Sequence, residues 1–177
     1  MAALPSFSPA FGLGNPHLQT LWGPLWRKMP PLDRQRERLW LADGDFIDID
    51  WHGPHEARTP LVLVLHGLTG SSNSPYVAGL QRTLGAQGWA SAAINWRGCS
   101  GEPNLLARSY HSGASEDLAE IVSLLAAHRP MAPLYAVGYS LGATSCSSTW
   151  EKQGTNPSFR QPSRCRCLTA SISAPTA

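Results

Sequence analysis

Residues 134–142 read Leu134-Tyr135-Ala136-Val137-Gly138-Tyr139-Ser140-Leu141-Gly142, an apolar run that passes directly into Gly-x-Ser-x-Gly. This order predicts a buried strand followed by a sharp turn that holds the Ser140 hydroxyl above the end of a sheet. Gly138 and Gly142 would allow a close backbone approach that a Cβ obstructs, and a helix after the turn would direct its N–H groups at developing negative charge. The pentapeptide alone is equally typical of a Gly/Ser-rich loop, so the surrounding residues decide.

A second element of this kind lies upstream. Leu61–Leu65 is continuously apolar and follows Pro60, which predicts a central strand covered on both faces. The strand runs into His66-Gly67-Leu68-Thr69-Gly70. The N–H group of Leu68 could join that of Leu141 to bind an oxyanion, which indicates acyl transfer with Ser140 as the nucleophile. His66 is interpreted as structural.

Strands and helices alternate along the chain. Residues 37–41 and 46–51 flank Ala42-Asp43-Gly44, which predicts an antiparallel hairpin. Apolar spacing predicts the remaining elements, which are a helix at 76–87, a strand at 89–95, a helix at 114–127 and a strand at 134–137. The order predicts an α/β fold in which an antiparallel hairpin precedes a mostly parallel sheet with crossover helices.

Length and charge limit the possible functions. The 177 residues fit one domain, and a formal net charge of +2 with interspersed acids and bases provides no basic stripe for nucleic acid or anionic lipid. We therefore expect a small, uncharged partner and no nucleic acid. The densest apolar stretch, Leu61–Leu65, is far shorter than the roughly 20 residues that span a bilayer, so no transmembrane segment is predicted.

The expected location is the cytoplasm. The first twenty residues lack a basic region and are interrupted by Pro and Gly, unlike a signal peptide. Cys99 stands alone, whereas Cys146, Cys165 and Cys167 crowd near the end, which is not the spacing of a disulfide framework. A reducing compartment explains this usage most simply.

Six ordered motifs extend over most of the chain. They are Gly14-Asn15-Pro16-His17-Leu18-Gln19-Thr20, Asp43-Gly44-Asp45-Phe46, His66-Gly67-Leu68-Thr69-Gly70-Ser71, Arg97-Gly98-Cys99-Ser100-Gly101-Glu102-Pro103-Asn104, Tyr110-His111-Ser112-Gly113 and Gly138-Tyr139-Ser140-Leu141-Gly142. Over residues 10–142 the chain resembles the YheT-like branch of the α/β-hydrolases. The resemblance implies a serine hydrolase of the carboxylesterase or lipid-esterase type, acting without a cofactor on a small uncharged ester or a lipid-like substrate.

Other polar candidates are assigned to structural roles. His17 and His111 lie before Ser140, whereas the acid and the base of this fold follow the nucleophile, so both histidines are expected to be structural or to line the pocket. Glu116 and Asp117 occupy the first turn of a predicted helix, where capping explains them.

Two other classes of site are not predicted. Cys165-x-Cys167 lacks two further ligands for zinc, so no metal site is expected. No Gly-x-Gly-x-x-Gly follows the first parallel strand, which excludes a dinucleotide-binding domain.

The sequence after Gly142 departs from the pattern. Residues 143–177 contain no Asp and no His, and Glu151 is their only acid, so a triad cannot be completed in the usual order. This chain is therefore expected to be inactive. Residues 143–152, ATSCSSTWEK, are also poor in large apolar side chains where an apolar helix should follow the turn.

A shifted reading frame accounts for this tail. A permissible back-translation of residues 143–151, started at its third base, encodes Asn-Val-Leu-Leu-Lys-Tyr-Leu-Gly, an amphipathic helix. A one-base displacement of residues 161–176 likewise permits an apolar strand, Ala-Ala-Val-Ala-Val-Ser-Val-Pro-Tyr-Arg-Phe-Asp-Leu. The shift would reflect a change in the gene or in its sequencing.

Three segments are therefore predicted, namely an N-terminal extension at 1–36, an incomplete α/β-hydrolase core at 37–142 and an aberrant, poorly ordered tail at 143–177. Because a complete fold of this class exceeds roughly 200 residues, we expect its N-terminal portion only. The alternative function is a non-catalytic module that binds a small molecule or a protein on the same fold. No pattern in the sequence indicates an oligomeric state.

Overall fold

The computed structural model describes residues 8, 9, 11, 12, 14–26, 30–111, 115–154 and 165–169, with side-chain surroundings for those outside 22–26, 150–154 and 165–169. The chain divides into two units, Met1–Pro30 and Pro31–Ala177. The first unit contains helix α1, Pro16–Trp26. All other described elements belong to the second unit.

A six-stranded sheet with packed helices forms the described part of the second unit. Its strands are β1 (Gln35–Trp40), β2 (Phe46–His52), β3 (Leu61–Leu65), β4 (Ala90–Asn95), β5 (Leu134–Gly138) and β6 (Cys165–Thr169), and its helices are α2 (Pro75–Ala86), α3 (Ser115–His128) and α4 (Leu141–Gly154). The order across the sheet is β1-β2-β4-β3-β5-β6. The pairs β1–β2 and β2–β4 are antiparallel, and the pairs β4–β3, β3–β5 and β5–β6 are parallel. The predicted α/β fold is confirmed.

The hairpin between β1 and β2 closes at the predicted turn. Gly44 has a φ of +83°, a conformation that glycine adopts without strain, and its N–H donates to Leu41 O at 3.0 Å. β1 begins at Gln35, two residues before the prediction, because its pairing with β2 continues to Trp51.

Strand β3 lies at the centre of the core because both of its faces are covered. Every residue of Leu61–Leu65 is buried. Its three leucines share an apolar cluster with Leu118 and Ile121 of α3, and its two valines pack with Val77 of α2. Since β3, β4 and β5 are parallel, the loops that follow them leave the sheet at the same edge.

The segment after Gly142 is more regular than its composition predicts. α4 extends to Gly154, although its buried positions carry Ser145, Cys146 and Thr149, and β6 adds to the sheet beside β5. α4 packs against α3 and β5, and such packing overrides weak helix propensity. Residues 143–154 and 165–169 thus take helical and strand conformations, and the rest of the tail lies outside the described residues. The poor order expected of the tail stays a prediction.

The two cysteines with described side chains differ in state. Cys99 carries a free thiol, whereas Cys146 is disulfide-bonded. The spacing of the cysteines predicted no disulfide framework, but spacing does not tell which sulfurs a fold brings within bonding distance. In the part of the chain that is described, every helix is too short or too polar to cross a bilayer.

Candidate active site

Ser140 occupies a strained turn between β5 and α4. Its φ is +51°, in the left-handed region that costs a non-glycine residue about 1–3 kcal/mol, and its side chain is exposed. The backbone holds the turn, because Tyr139 N–H donates to Leu65 O at 3.0 Å and Gly142 N–H donates to Tyr139 O at 2.9 Å. Ser140 therefore stands at the carboxyl end of β5, directly before the N-terminus of α4.

The two glycines of the turn touch backbone atoms. A Cβ on Gly142 would lie 2.6 Å from Leu65 O and 2.7 Å from His66 O, and one on Gly138 would lie 2.5 Å from Ala143 N. Backbone atoms of a strand and a helix cannot move aside as a flexible side chain can. Both positions therefore require glycine, for the close approach expected from the sequence.

The loop after β3 lies beside this turn. β3 and β5 are hydrogen-bonded neighbours, with Leu65 paired to Gly138. A Cβ on Gly67 would lie 3.3 Å from Ser140 Cβ. The fold thus brings Ser140 and the two predicted oxyanion donors to one edge of the sheet.

The loop after β3 leaves one N–H group unbonded. Gly67 N–H donates to the Tyr76 hydroxyl at 3.2 Å, Thr69 N–H to the Tyr110 hydroxyl at 2.8 Å, and Gly70 N–H to Gly67 O at 3.1 Å. Among the described residues no group accepts the N–H of Leu68, nor that of Leu141 in the first turn of α4. These are the two donors that the sequence singled out.

His66 determines the direction of the Leu68 N–H. Its Nε2 accepts from Trp96 N–H at 3.3 Å, so its Nδ1 carries the proton and donates to Gly67 O at 2.7 Å. Because C=O and N–H point in opposite directions in a trans peptide, holding Gly67 O toward His66 turns the Leu68 N–H away from it. Burial lowers the pKa of His66, which favours the neutral ring. His66 is structural, as expected.

A buried ion cluster, formed by Arg97, Asp45 and Asp117, anchors the loop after β4. Arg97 Nε lies 2.8 Å from Asp117 Oδ2, and Arg97 Nη1 lies 2.9 Å from Asp45 Oδ2. Asp45 also accepts from Asn104 Nδ2 at 2.8 Å and from Leu105 N–H at 3.1 Å. Burial alone would raise the pKa of Asp45, but these hydrogen bonds lower it to about 2. Asp117, assigned to capping from the sequence, instead belongs to this cluster.

The remaining candidates lie in other elements of the chain. His17 is exposed on α1 in the first unit, and His111 is exposed at the end of a described stretch. Glu116 is exposed and pairs with Arg108 at 3.2 Å. Cys165 and Cys167 lie in β6, with side chains outside the described residues. Within the part that is described, no group of three or more metal-binding side chains occurs.

Two residues at the site were missed by reasoning from the sequence. Tyr76, at the start of α2, and Tyr110, in the loop after β4, both accept hydrogen bonds from N–H groups of the loop after β3. The only signal for Tyr110 was its place in one of the six motifs, which assigned it no role.

The fold that carries this site is that of a known protein family. Residues 60–175 match the family described as the α/β-hydrolase fold. The chain belongs to the α/β-hydrolase family. This α/β hydrolase is also YheT-like, as expected, because it is 41% identical over 152 residues to the Escherichia coli protein named "Putative esterase YheT". That alignment covers 85% of this chain and 45% of YheT.

Other relatives carry names from lipid chemistry. The mouse protein named phospholipase ABHD3 is 34% identical over 131 residues, covering 70% of this chain and 32% of ABHD3. The α/β hydrolase thus spans less than half the length of these relatives.

Solved structures share the fold. The serine hydrolase XC6422 of Xanthomonas campestris has a TM-score of 0.56 at 19% identity, over 81% of this chain and 73% of XC6422. Mouse α/β-hydrolase domain-containing protein 10 has a TM-score of 0.56 at 15% identity, over 76% of this chain and 48% of that protein. At these identities the likeness shows the fold alone.

Proposed function

We propose that this α/β hydrolase is built for acyl transfer from a carboxylic ester, with Ser140 as the nucleophile and the N–H groups of Leu68 and Leu141 as the oxyanion hole. The strained, exposed Ser140 beside the unbonded Leu68 N–H is the observation that carries the proposal. Gly138 and Gly142 serve the turn by admitting backbone contacts. Relatives named as an esterase and a phospholipase support this reaction class.

The proposed chemistry needs two donors and a base. Ser140 Oγ attacks the acyl carbon, and the carbonyl oxygen takes up negative charge. The two N–H groups and the positive end of α4 stabilise that charge, and loss of one such donor typically lowers turnover about 100- to 1,000-fold. A base must take the serine proton, and the alcohol then leaves as the carbonyl re-forms. No cofactor is required.

The proposed substrate is a small uncharged ester or a lipid-like molecule. Leu68 is 66% exposed and Tyr76 is 40% exposed, so apolar surface flanks the loop after β3. Apolar surface beside the reacting atoms favours an acyl chain over a charged group.

We propose that the 177-residue chain turns esters over very slowly. Residues 143–177 contain no Asp or His, and both ring nitrogens of His66 are occupied by hydrogen bonds. Loss of triad members lowers turnover by about 10⁴- to 10⁶-fold.

Labelling by a serine-reactive reagent, measured with and without an added base, tests the proposed nucleophile and the proposed lack of a base separately. The chain is incubated with an alkyl fluorophosphonate, with and without imidazole, and the adduct on the peptide containing Ser140 is quantified by mass spectrometry. We expect slow labelling without imidazole and labelling about tenfold faster with it, because imidazole supplies general-base catalysis. Ser140→Ala should abolish the adduct, and Ser147→Ala, at an exposed serine of α4, should not.

The possible outcomes separate the hypotheses. Fast Ser140-dependent labelling without imidazole contradicts the inactivity of this chain. Absence of labelling under both conditions contradicts the nucleophile and favours the alternative, a non-catalytic module that binds a small molecule or a protein.

We further propose that residues 143–177 are translated from a shifted frame. Ser145, Cys146 and Thr149 occupy the buried face of α4, and the buried Ser145 Oγ has no hydrogen-bond partner among the described residues. If the Asn that begins the shifted-frame peptide is aligned with position 144, the peptide places Val, Leu and Tyr at positions 145, 146 and 149. Apolar side chains suit a helix packed on a sheet.

Sequencing of the coding DNA tests this frame. The family match extends to residue 175 in the frame as given, which opposes the shift. Sequencing from the Ser140 codon through several hundred downstream bases should reveal a frame that restores an apolar helix, a strand and later Asp and His codons. A single open frame without such a continuation contradicts the shift.

We also propose a cytoplasmic location, which the free Cys99 thiol favours and the disulfide at Cys146 opposes. Thiols are alkylated in intact cells before extraction, and the peptide containing Cys146 is then examined by mass spectrometry. An alkylated Cys146 supports the cytoplasm, and an oxidised Cys146 contradicts it.

A further inference from the structure

Tyr110 joins the loop after β4 to the loop after β3. Its hydroxyl accepts the N–H of Thr69 at 2.8 Å. Its ring lies parallel to Trp96, with an angle of 5° and centroids 6.4 Å apart, and edge-on to His66 at 6.0 Å. Packing on these two rings fixes the position of the hydroxyl.

The hydrogen bond from Thr69 holds a strained peptide. Thr69 has a φ of +57°, and its Oγ1 donates to Leu68 O at 2.7 Å. The peptide between Leu68 and Thr69 is therefore held at both ends, through Leu68 O and through Thr69 N–H. Without Tyr110, the Thr69 N–H would lose this acceptor and would compete with the neighbouring Leu68 N–H for an anion.

The Tyr110 hydroxyl also interacts electrostatically with the Cys99 thiol. Burial raises the pKa of Tyr110 and that of Cys99, so both groups stay protonated at neutral pH. A protonated tyrosine hydroxyl retains lone pairs that accept the Thr69 N–H.

We propose that Tyr110 is a positioning residue whose hydroxyl, by binding Thr69 N–H, leaves Leu68 N–H as the donor that faces the oxyanion. This role rests on the proposed acyl-transfer function. In this role Tyr110 acts on the loop after β3, through its bond to Thr69 N–H.

The test uses a reaction that needs the oxyanion hole but not the missing base. A Ser140→Cys chain provides one, because a thiol with an ordinary pKa of about 8.5 ionises without a neighbouring base. With p-nitrophenyl acetate, the thiolate forms an S–C bond to the acetyl carbon and p-nitrophenolate leaves. With iodoacetamide, the same thiolate forms an S–C bond and iodide leaves, without any oxyanion. Both rates are measured by mass spectrometry on the peptide containing position 140.

The ratio of acylation to alkylation isolates the oxyanion hole, because thiol ionisation cancels. We expect this ratio to exceed that of glutathione by about tenfold or more. Tyr110→Phe, added to Ser140→Cys, keeps the ring packing and should lower the ratio about fivefold, the effect of one lost hydrogen bond, with the alkylation rate unchanged. Tyr135→Phe removes the same atom from a tyrosine stacked on Trp89 and should leave the ratio unchanged.

The outcomes distinguish the two proposals. A ratio equal to that of glutathione overturns the proposed function. A high ratio that Tyr110→Phe leaves intact overturns the positioning role alone. An equal fall in both rates also overturns that role, because it means that the hydroxyl supports the fold in general.

Discussion

The turn at Ser140 and the loop after β3 are held by different kinds of bond. In the turn, four hydrogen bonds join backbone to backbone, made by the N–H groups of Tyr139, Gly142, Ala143 and Thr144. In the loop after β3, Tyr76, Tyr110 and His66 bind the backbone through their side chains. Three of the four bonds in the turn join residues within 139–144, and the fourth reaches Leu65 O of β3. The turn is therefore mainly local, whereas the loop depends on side chains brought from elsewhere by the fold.

The largest expected difference between the two segments is in how much an alanine at Gly142 or at Gly67 lowers the free energy of unfolding. Gly142→Ala should lower the free energy of unfolding by about 3 kcal/mol, because the new Cβ would lie 2.6 Å from Leu65 O. Gly67→Ala should cost only about 1 kcal/mol, since its Cβ would meet Tyr139 O at 3.2 Å. Urea unfolding measures both.

Gly14→Ala is the control for this pair, since nothing lies within 4 Å of its added Cβ. It should leave the unfolding midpoint unchanged. Equal losses at Gly142 and Gly67 would mean that the two segments do not differ in tolerance.

Acid should weaken the support of the loop after β3 and not that of the turn, whose backbone bonds do not titrate. The pKa of Asp45 and that of Asp50 are lowered from 3.8 to about 2 in the folded chain. Each carboxylate therefore adds stability that is complete above about pH 4 and lost as the pH falls through about 2. We expect the free energy of unfolding, measured with urea, to fall over this window.

Asp45→Asn tests how much of the acid-induced loss of stability comes from the anchoring of the loop after β4, which contains Tyr110. The variant should be less stable at pH 7, because Arg97 loses a buried partner, and its free energy of unfolding should depend less steeply on pH between pH 4 and pH 2. An unchanged slope would show that Asp45 is not responsible.

The smallest effect concerns the two strained residues. Ser140→Gly should stabilise the chain by about 1 kcal/mol, because glycine adopts a φ of +51° without strain. Thr69→Gly removes a similar strain but also the bond from Thr69 Oγ1 to Leu68 O, so its net effect should be near zero. Thermal unfolding of both variants measures the difference, and equal stabilisation would refute it.

The same contrast explains what could be predicted from the sequence. The five strands up to residue 138, the mostly parallel sheet and the glycine turn follow from residues adjacent in the chain, and the structure places each of these strands within two residues of its expected bounds. β6 was not predicted. Ser140, Leu68 and Leu141 were named from local motifs, and their roles stay predictions. Tyr110 could not be found in this way, because it meets Thr69 across 41 residues.

Two interpretations of the sequence, of the role of Asp117 and of the segment after Gly142, differ from what the structure shows. Asp117 lies in the first turn of a helix, where capping was expected, but in the folded chain its carboxylate accepts a hydrogen bond from Arg97 Nε. α4 forms on a sequence rich in Ser and Thr, because its packing on α3 and β5 outweighs propensity.

The pairing of β3 with β5 has a consequence for the order of folding. It joins residues 61–65 to residues 134–138, and such distant pairings form late because a long loop must close first. Three of the four backbone bonds of the turn at Ser140 join residues within 139–144 and need no such closure. Under the proposed function, a nascent chain would therefore present Ser140 before the Leu68 N–H lies beside it, and Ser140 would gain its reactivity only after β3 and β5 have paired.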